Sequence, residues 1–422
     1  MEKGVSPMWK GSDQVRNLAL NFTEKCNLSC NYCYLYSKQE ISKEEISTEE
    51  LIDVVTKTLK LFPSVETVEL WGGESTYDPK RLYLFCKEMY SLGKKTWIPS
   101  TNGTLIDKYE VYEAWRYCNQ KDASQVSFDG NPKYHNKNRS NSFNKVVSNL
   151  KLAISQKVPI ALRSTYSFTE FVDAVKENFI WFPKLYKEFS DDPSLTQSIV
   201  DRTFAIHPYK DRKFMMIYQE IDTIFPVEET ASRSQIYRNY YQELEQLVLD
   251  QSDNDVIFLP PYINDTVTAL LSDKPTEPKS CGSFLSQIYL HSPTGDIYPC
   301  LSQDVNAYQE IAKLANVHTG EINWPVVNTV RSFMMRRNKA CMDCFMQPAC
   351  FGSCYHFSVR SKDKNKDGLS PFLFYWNTEN IIKCKFAHNI FDITVSTATK
   401  LLKKIDDSPI EKEPRNVTSM VL

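Results

Sequence analysis

Three cysteines, Cys26, Cys30 and Cys33, stand together in the stretch "FTEKCNLSCNYCYLYS". Thiolates are soft ligands, and three on one loop can hold three irons of a cubane cluster. Such a cluster normally takes four cysteines, so three leave one iron open to another ligand. The alternative is a zinc loop or a set of buried thiols, although zinc sites usually pair Cys-x2-Cys with a second such pair or with histidines. A second constellation lies downstream. Cys281 is followed by thirteen residues, Gly295, four residues and Cys300, then by Cys341-x2-Cys344-x5-Cys350-x3-Cys354 and finally by Cys384. A zinc knuckle over Cys341 to Cys354 would leave Cys281, Cys300 and Cys384 without a role. Cys86 and Cys118 fall in helical patterns and read as structural thiols. None of the six histidines forms an H-x3-H or H-E-x-x-H pattern, and only His291 and His356 fall near the cysteine groups.

These residues need elements to place them. From Leu18 to His207 short β-rich runs alternate with helical patterns: "NLALNF", "ISTEELIDVVTKTLKLF", "VETVELWGG", "DPKRLYLFCKEMYSLG", "TWIPSTNG", "DKYEVYEAWRYC", "SQVSFDG", "FNKVVSNLKLAISQ", "PIALRSTYS", "FVDAVKENFIWFPKLYKEF" and "SIVDRTFAIHP". About six βα units follow, and the fold class is α/β, a partial (β/α)6 TIM-like barrel. Glycine is scarce, 12 in the chain against roughly 30 at average usage. Gly72, Gly73, Gly103 and Gly130 each sit where a predicted strand ends, the edge at which parallel sheets bind ligands. The cysteine loop follows the first strand and opens at that same edge.

The expected units are an extension over 1–15, the barrel over 16–231, a bridging helix and connector over 232–280, a small cysteine-rich α+β domain over 281–384, and a helix and tail over 385–422. "SRSQIYRNYYQELEQLVLDQ" reads as the bridging helix and "FLPPYINDTVTALLSDKPTEPKS" as the connector. "QIYLHSPTGDIYPCL" reads as a hairpin and "FAHNIFDITVSTATKLLKKI" as the terminal helix. The 422 residues exceed one typical domain. A net charge of -2 with 24% charged residues carries no global field for nucleic acid. The start "MEKGVSPMWKGSDQ" lacks a secretory h-region, and no run nears the roughly 18 apolar residues of a membrane span. The expected setting is the cytoplasm, with no membrane, where twelve cysteines read as metal ligands rather than disulfides.

The Cys-x3-Cys-x2-Cys spacing with Tyr32 before the last cysteine resembles the radical S-adenosylmethionine (radical SAM) enzymes, in which the amino and carboxylate groups of SAM chelate the fourth iron. "WGGES" resembles that family's Gly-Gly-Glu motif: Gly72 and Gly73 admit the ligand and Glu74 accepts from its ammonium group, with Ser75 where the family often has proline. "STNGT", with Ser100 and Asn102, and "VSFDG", with Ser127 and Asp129, end the next strands, and Arg139 follows in "YHNKNR". By resemblance to sulfatase-maturing relatives, Ser127 and Arg139 contact SAM; the other reading of Arg139 is a solvated surface residue. Arg163 and Ser164 end the fifth strand and face the cofactor in the same picture, and Phe204 to Ile206 frame its adenine.

The downstream cysteines resemble the SPASM extension, which binds two auxiliary 4Fe-4S clusters, making three clusters in all. The resemblance assigns Cys341, Cys344, Cys350 and Cys384 to one and Cys281, Cys300 and Cys354 to the other, whose fourth position stays open. It implies electron transfer into SAM, a 5′-deoxyadenosyl radical, and oxidation of a substrate C–H bond, with the auxiliary clusters taking the second electron. The expected activity is oxidative modification of a ribosomally made precursor peptide, by a cross-link, fed by a low-potential donor of flavodoxin or ferredoxin type. Cys26 comes too early for an N-terminal leader-binding domain, so any leader recognition is expected to use another surface of the chain or a separate leader-binding protein. Two alternatives stand beside it. A formylglycine-generating, sulfatase-maturing enzyme has an Asp directly after the Gly-x4-Cys cysteine; here Leu301 follows Cys300 and the nearest acid is Asp304. A non-catalytic electron-transfer protein would need only the cysteines and leaves "WGGES" and Arg139 unexplained.

Overall fold

The computed structural model describes residues 15–33, 45–118, 123–156, 158, 160–166, 171–190, 207–209, 212–216, 218–221, 230–253, 256–271, 286–299, 313–325, 327 and 378–407. Strand β1 (Asn17–Thr23) alternates: Leu18, Leu20 and Phe22 enter the main core, while Ala19 and Asn21 take the opposite face. Helix α1 (Thr48–Leu61) starts at a capping box, in which the Ser47 hydroxyl accepts from the Glu50 N–H and the Glu50 carboxylate accepts from the Ser47 N–H. It buries Leu51, Val54, Val55 and Leu59, the helical stripe of the sequence. β2 (Thr67–Gly72) runs parallel to β1, and α2 (Pro79–Ser91) begins with Asp78 as cap and Pro79 at its first position.

The third strand is interrupted: β3 (Lys95–Trp97) pairs with β2, and β4 (Ser100–Thr101) pairs with β5 (Ser124–Ser127). Pro99, with no N–H to offer a ladder, lies in the break. After α3 (Tyr109–Arg116) and β5 come α4 (Pro132–Asn138), α5 (Phe143–Ser155), β6 (Ile160–Tyr166) and α6 (Phe171–Ser190). The parallel series thus reads β1-β2-β3 and then β4-β5-β6-β9, where β9 is Tyr218–Ile221, as expected of a partial TIM-like barrel.

Most of the segment expected to hold the sixth strand, residues 198–206 of "SIVDRTFAIHP", lies outside the described residues. Its last two residues open β7 (His207–Tyr209), which pairs antiparallel with β8 (Arg212–Met216), and among the described residues β9 lies beside β6. β7 is an edge strand, the position that tolerates Pro208 and its missing N–H. The described part of the expected connector is structured. It carries the end of β10 (Val256–Leu259), parallel to β8, and α8 (Pro261–Leu271), which follows α7 (Thr230–Leu249). Pro260 and Pro261 open that helix rather than break it.

The hairpin of β11 (Gln287–His291) and β12 (Asp296–Tyr298) does not stand apart from the barrel. β11 pairs in parallel with β1, and β13 (Ala315–Asn316) and β14 (Glu321–Ile322) extend the sheet to the order β14-β13-β12-β11-β1-β2-β3. The last helix, α9 (Thr378–Asp407), starts ahead of the expected boundary at 385 and includes Cys384. It is held to α7 by a two-point ion pair between Arg238 and Asp392. Among the described residues no helix is long and apolar enough to cross a membrane.

Candidate functional site: a three-cysteine loop at the strand ends

The loop from Cys26 to Cys33 leaves β1 and closes on itself where the Cys33 N–H donates to the Cys30 carbonyl at 3.0 Å. Two neighbours hold it. On one side Asn102, just past β4, donates through Nδ2 to Asn27 Oδ1 at 2.8 Å, and Asn27 Nδ2 donates to Thr104 Oγ1 at 2.8 Å. On the other, the Asn31 N–H donates to Asn138 O at 3.1 Å and Asn31 Nδ2 to Lys137 O at 2.9 Å, while the Ser29 N–H donates to Ser140 Oγ. The turn that receives it is left-handed at two non-glycine residues, Ser140 (φ 52°) and Asn141 (φ 56°).

Beneath the loop lies a buried charge network. Asp129, fully buried after β5, accepts from Tyr32 Oη at 2.6 Å and Arg139 Nε at 2.9 Å through one oxygen and from the Thr165 N–H at 3.0 Å through the other. The Arg139 guanidinium lies over the Tyr32 ring, 5.2 Å from its centroid, and sends an N–H toward Cys30 Sγ at 3.9 Å. Arg139 is only 5% exposed, so the solvated-surface reading does not hold. Burial opposes its charge, and Asp129, Tyr32 and Cys30 together more than offset it, holding the guanidinium protonated; burial likewise keeps the Tyr32 phenol neutral.

Glu74 is saturated by the protein. One oxygen accepts from the Thr76 N–H (3.1 Å), Thr76 Oγ1 (2.7 Å) and Thr101 Oγ1 (2.8 Å), and the other from the Asn102 N–H (2.6 Å). It therefore ties the end of β2 to the end of β4. Ser75, the departure from proline, donates to Leu70 O at 2.7 Å. Gly72 and Gly73 face the chain itself, since a Cβ on Gly72 would lie 1.9 Å from Thr23 O and one on Gly73 2.4 Å from Lys25 O. Their small size admits the turn after β1. Ser100 and Ser127 sit half-buried at the same strand ends. Arg163, beside Ser127 in register, donates to Gln125 Oε1 at 2.9 Å, and Ser164 donates to Phe128 O.

Sequence reasoning passed over His135 and Asn178. Asn178 on α6 donates to Asp129 O and accepts from the Asn131 N–H. His135 Nδ1 accepts from the Asp129 N–H, leaving Nε2–H to donate to Ser142 Oγ. Neither residue has a motif to signal it. Burial, then the Arg139 charge, pushes the His135 imidazole down to about 3. Its unfolded counterpart protonates near the ordinary value of about 6.5, so between about pH 6.5 and 3 the unfolded chain binds the extra proton and acid erodes stability, by at most about 1.4 kcal/mol per pH unit. His135→Gln keeps a donor and an acceptor without titrating. Urea unfolding at pH 7 and pH 5 is expected to show a smaller loss for the variant than for the natural chain; equal losses would contradict this assignment.

The thiols suit iron. Burial pushes Cys26 up to about 11 and raises Cys30, where Arg139 opposes it, so a positively charged partner is needed to hold thiolates here. Donors already point at sulfur: the Leu28 N–H at 3.4 Å and Asn102 Nδ2 at 3.7 Å from Cys26 Sγ, and Arg139 on Cys30. Among the described residues no three His, Cys, Asp or Glu side chains converge on a single ion. A cubane takes its thiolates at separate irons, and three thiols on one loop can hold three of them. Cys281, Cys300, Cys341, Cys344, Cys350 and Cys354, and Phe204 to Ile206, lie outside the described residues. Cys384 is placed on α9 by its backbone.

A partial parallel barrel with a three-cysteine loop at its strand ends defines a radical SAM domain. Residues 20–177 match the family model for the Radical SAM superfamily, so this part of the chain is such a domain, and SAM and a 4Fe-4S cluster are its cofactors. The chain is 23% identical over 408 residues, 91% of its length and 96% of the relative's, to a cysteine-type anaerobic sulfatase-maturating enzyme of Clostridium novyi. It is 25% identical over 375 residues, 86% of its length and 72% of the relative's, to the antilisterial bacteriocin subtilosin biosynthesis protein AlbA of Bacillus subtilis. In fold it is similar to native anSMEcpe with bound AdoMet (TM-score 0.57, 18% identity, covering 91% of this chain and 99% of that one). It is also similar to Streptococcus suis SuiB bound to precursor peptide SuiA (TM-score 0.50, 16% identity, covering 86% and 75%).

Proposed function

We propose that this chain is a radical SAM maturase that oxidatively modifies a ribosomally made precursor peptide, most simply by an intrachain cross-link. The observation that carries the reading is the three-thiol loop clamped between Asn102 and Arg139 with donors aimed at its sulfurs. SAM bound on the cluster supplies a hydrogen-abstracting radical. The chain's own residues do the rest. Cys26, Cys30 and Cys33 bind the cluster, Tyr32 and Arg139 hold the loop against Asp129, and Glu74 fixes the strand ends that face SAM. Ser100, Ser127 and Arg163 line those ends as further cofactor contacts.

In the same reading residues 281–384 form a SPASM unit, with Cys341, Cys344, Cys350 and Cys384 on one auxiliary cluster and Cys281, Cys300 and Cys354 on the other. These take the electron left on the substrate, a low-potential flavodoxin or ferredoxin feeds the first cluster, and a separate protein presents the leader. The peptide substrate is supported by the names of relatives and fold neighbours, one a bacteriocin biosynthesis protein and one bound to its precursor peptide. The sulfatase-maturing alternative draws on the other relative, and Leu301 after Cys300 speaks against it.

The test is anaerobic reconstitution of the full chain. It is expected to hold about twelve irons, four per cluster, and to release 5′-deoxyadenosine from SAM under dithionite. The triple substitution of Cys26, Cys30 and Cys33 by Ala should lower iron to about eight and abolish release. Natural chain that loads iron and releases no 5′-deoxyadenosine would overturn the enzyme reading. Mass loss on a co-expressed neighbouring peptide tests the substrate.

A further inference from the structure

The inner face of the sheet carries a feature that the cofactor site does not use. Ala19, Tyr289 and Tyr298, with Trp71 against them, pack as a cluster separate from the main core. They form a continuous floor, because Ala19 stands beside Tyr289, and Tyr289 beside Tyr298, in strand register. Asn21, next to Trp71 in register, closes the floor at the carboxyl end of β1.

The closing groups are acceptors without donors. Asn21 is 5% exposed, and its Oδ1 is buried with no hydrogen-bond partner. Its Nδ2 reaches Glu24 Oε1 at 3.4 Å, and Glu24 Oε2 is likewise buried and unpartnered. His291 Nε2 lies 3.8 Å from Glu24 Oε1, while its Nδ1 is paired with Thr294 Oγ1. Ser292 Oγ donates to Asn21 O at 2.5 Å and pins β11 to this end of β1. The nearby cations are taken, since Lys25 pairs with Glu45 and Lys313 with Asp296. Buried acceptors, one on a carboxylate, are unfavourable until a donor arrives.

We propose that this face is a subsite for an ammonium-tipped side chain of the substrate peptide. The aliphatic stem lies over Trp71 and Tyr289, and the ammonium donates to Asn21 Oδ1 and Glu24 Oε2. An ammonium brings three donors on a flexible apolar stem, which matches acceptors at the end of an aromatic floor. The inference rests on the reading that the substrate is a peptide; it adds which side chain the barrel wall selects and where.

The test is titration calorimetry on reconstituted, SAM-loaded full chain with two blocked pentapeptides, one with a central lysine and one with norleucine. The lysine peptide is expected to bind at least about tenfold tighter, and Glu24→Gln and Asn21→Leu are each expected to remove most of that preference. Glu24→Gln conserves size, so a folding defect in Asn21→Leu alone decides nothing against it. Equal binding of the two peptides to the natural chain, or no binding of either, overturns the subsite, as does a preference that survives Glu24→Gln. Since the readout is a ratio between peptides, it can fail while 5′-deoxyadenosine release succeeds, and the enzyme reading can fail while the preference stands.

Discussion

Gly72→Ala is expected to destabilise the chain by more than about 4 kcal/mol, the range reached when a side chain is forced into backbone at a special conformation. Gly72 has φ of +134°, and an added Cβ would lie 1.9 Å from Thr23 O and 2.9 Å from Thr23 C. The obstacle is backbone, which cannot rotate aside. Relief would require separating β2 from β1, which here are joined by the Gly73 N–H to Thr23 O bond at 2.7 Å and the Glu74 N–H to Lys25 O bond at 2.8 Å. The cysteine loop begins at the next residue, so loss of this contact displaces Cys26 as well. Thermal unfolding of the iron-free chain checks it: a midpoint within a few degrees of the natural protein would show that the strand ends part without penalty.

Asp129→Ala carries the second large effect. Removing one partner of a buried ion pair costs about 3–5 kcal/mol, because the remaining charge stays buried and unpaired. Here Arg139 would lose the carboxylate partner beneath it, and Tyr32 Oη and the Thr165 N–H would lose their acceptor. The Asp129→Leu, Arg139→Met double variant should recover a large part of the loss, since replacing both partners by apolar side chains is often close to neutral. Denaturant titration of Asp129→Leu, Arg139→Met and the double variant reads this as a coupling energy. Additive losses would mean that the pair is not interacting. The double variant is still expected to bind iron less well than the natural chain, because Arg139 would no longer donate toward Cys30.

The loop and the barrel were legible for related reasons. Cys26, Cys30 and Cys33 lie within one short segment, so their spacing alone brings three thiols to one place. The helical stripes of α1, α2 and α5 and the apolar alternation of β1 and β2 show in the sequence because each element buries one face. The burial of Arg139 was not legible. Its setting depends on Asp129 and on Tyr32, a residue that meets Asp129 across 97 positions of chain. Glu74 and the two glycines carried the right motif with an incomplete reason: local sequence shows a turn and a carboxylate, and only the approach of Thr23, Lys25 and Asn102 shows what they touch.

Periodicity and spacing are properties of near neighbours, and they sufficed for the strand-helix alternation, the grouping of three thiols on the first loop and the edge of the sheet on which that loop opens. Which distant segments meet is set by the surfaces they bury together. That is why folding alone decided that β9 lies beside β6, and that the late strand β11 lies in parallel against β1. The second pairing brings Tyr289 and His291 to the wall that holds Asn21 and Glu24, a juxtaposition that no run of neighbouring residues encodes.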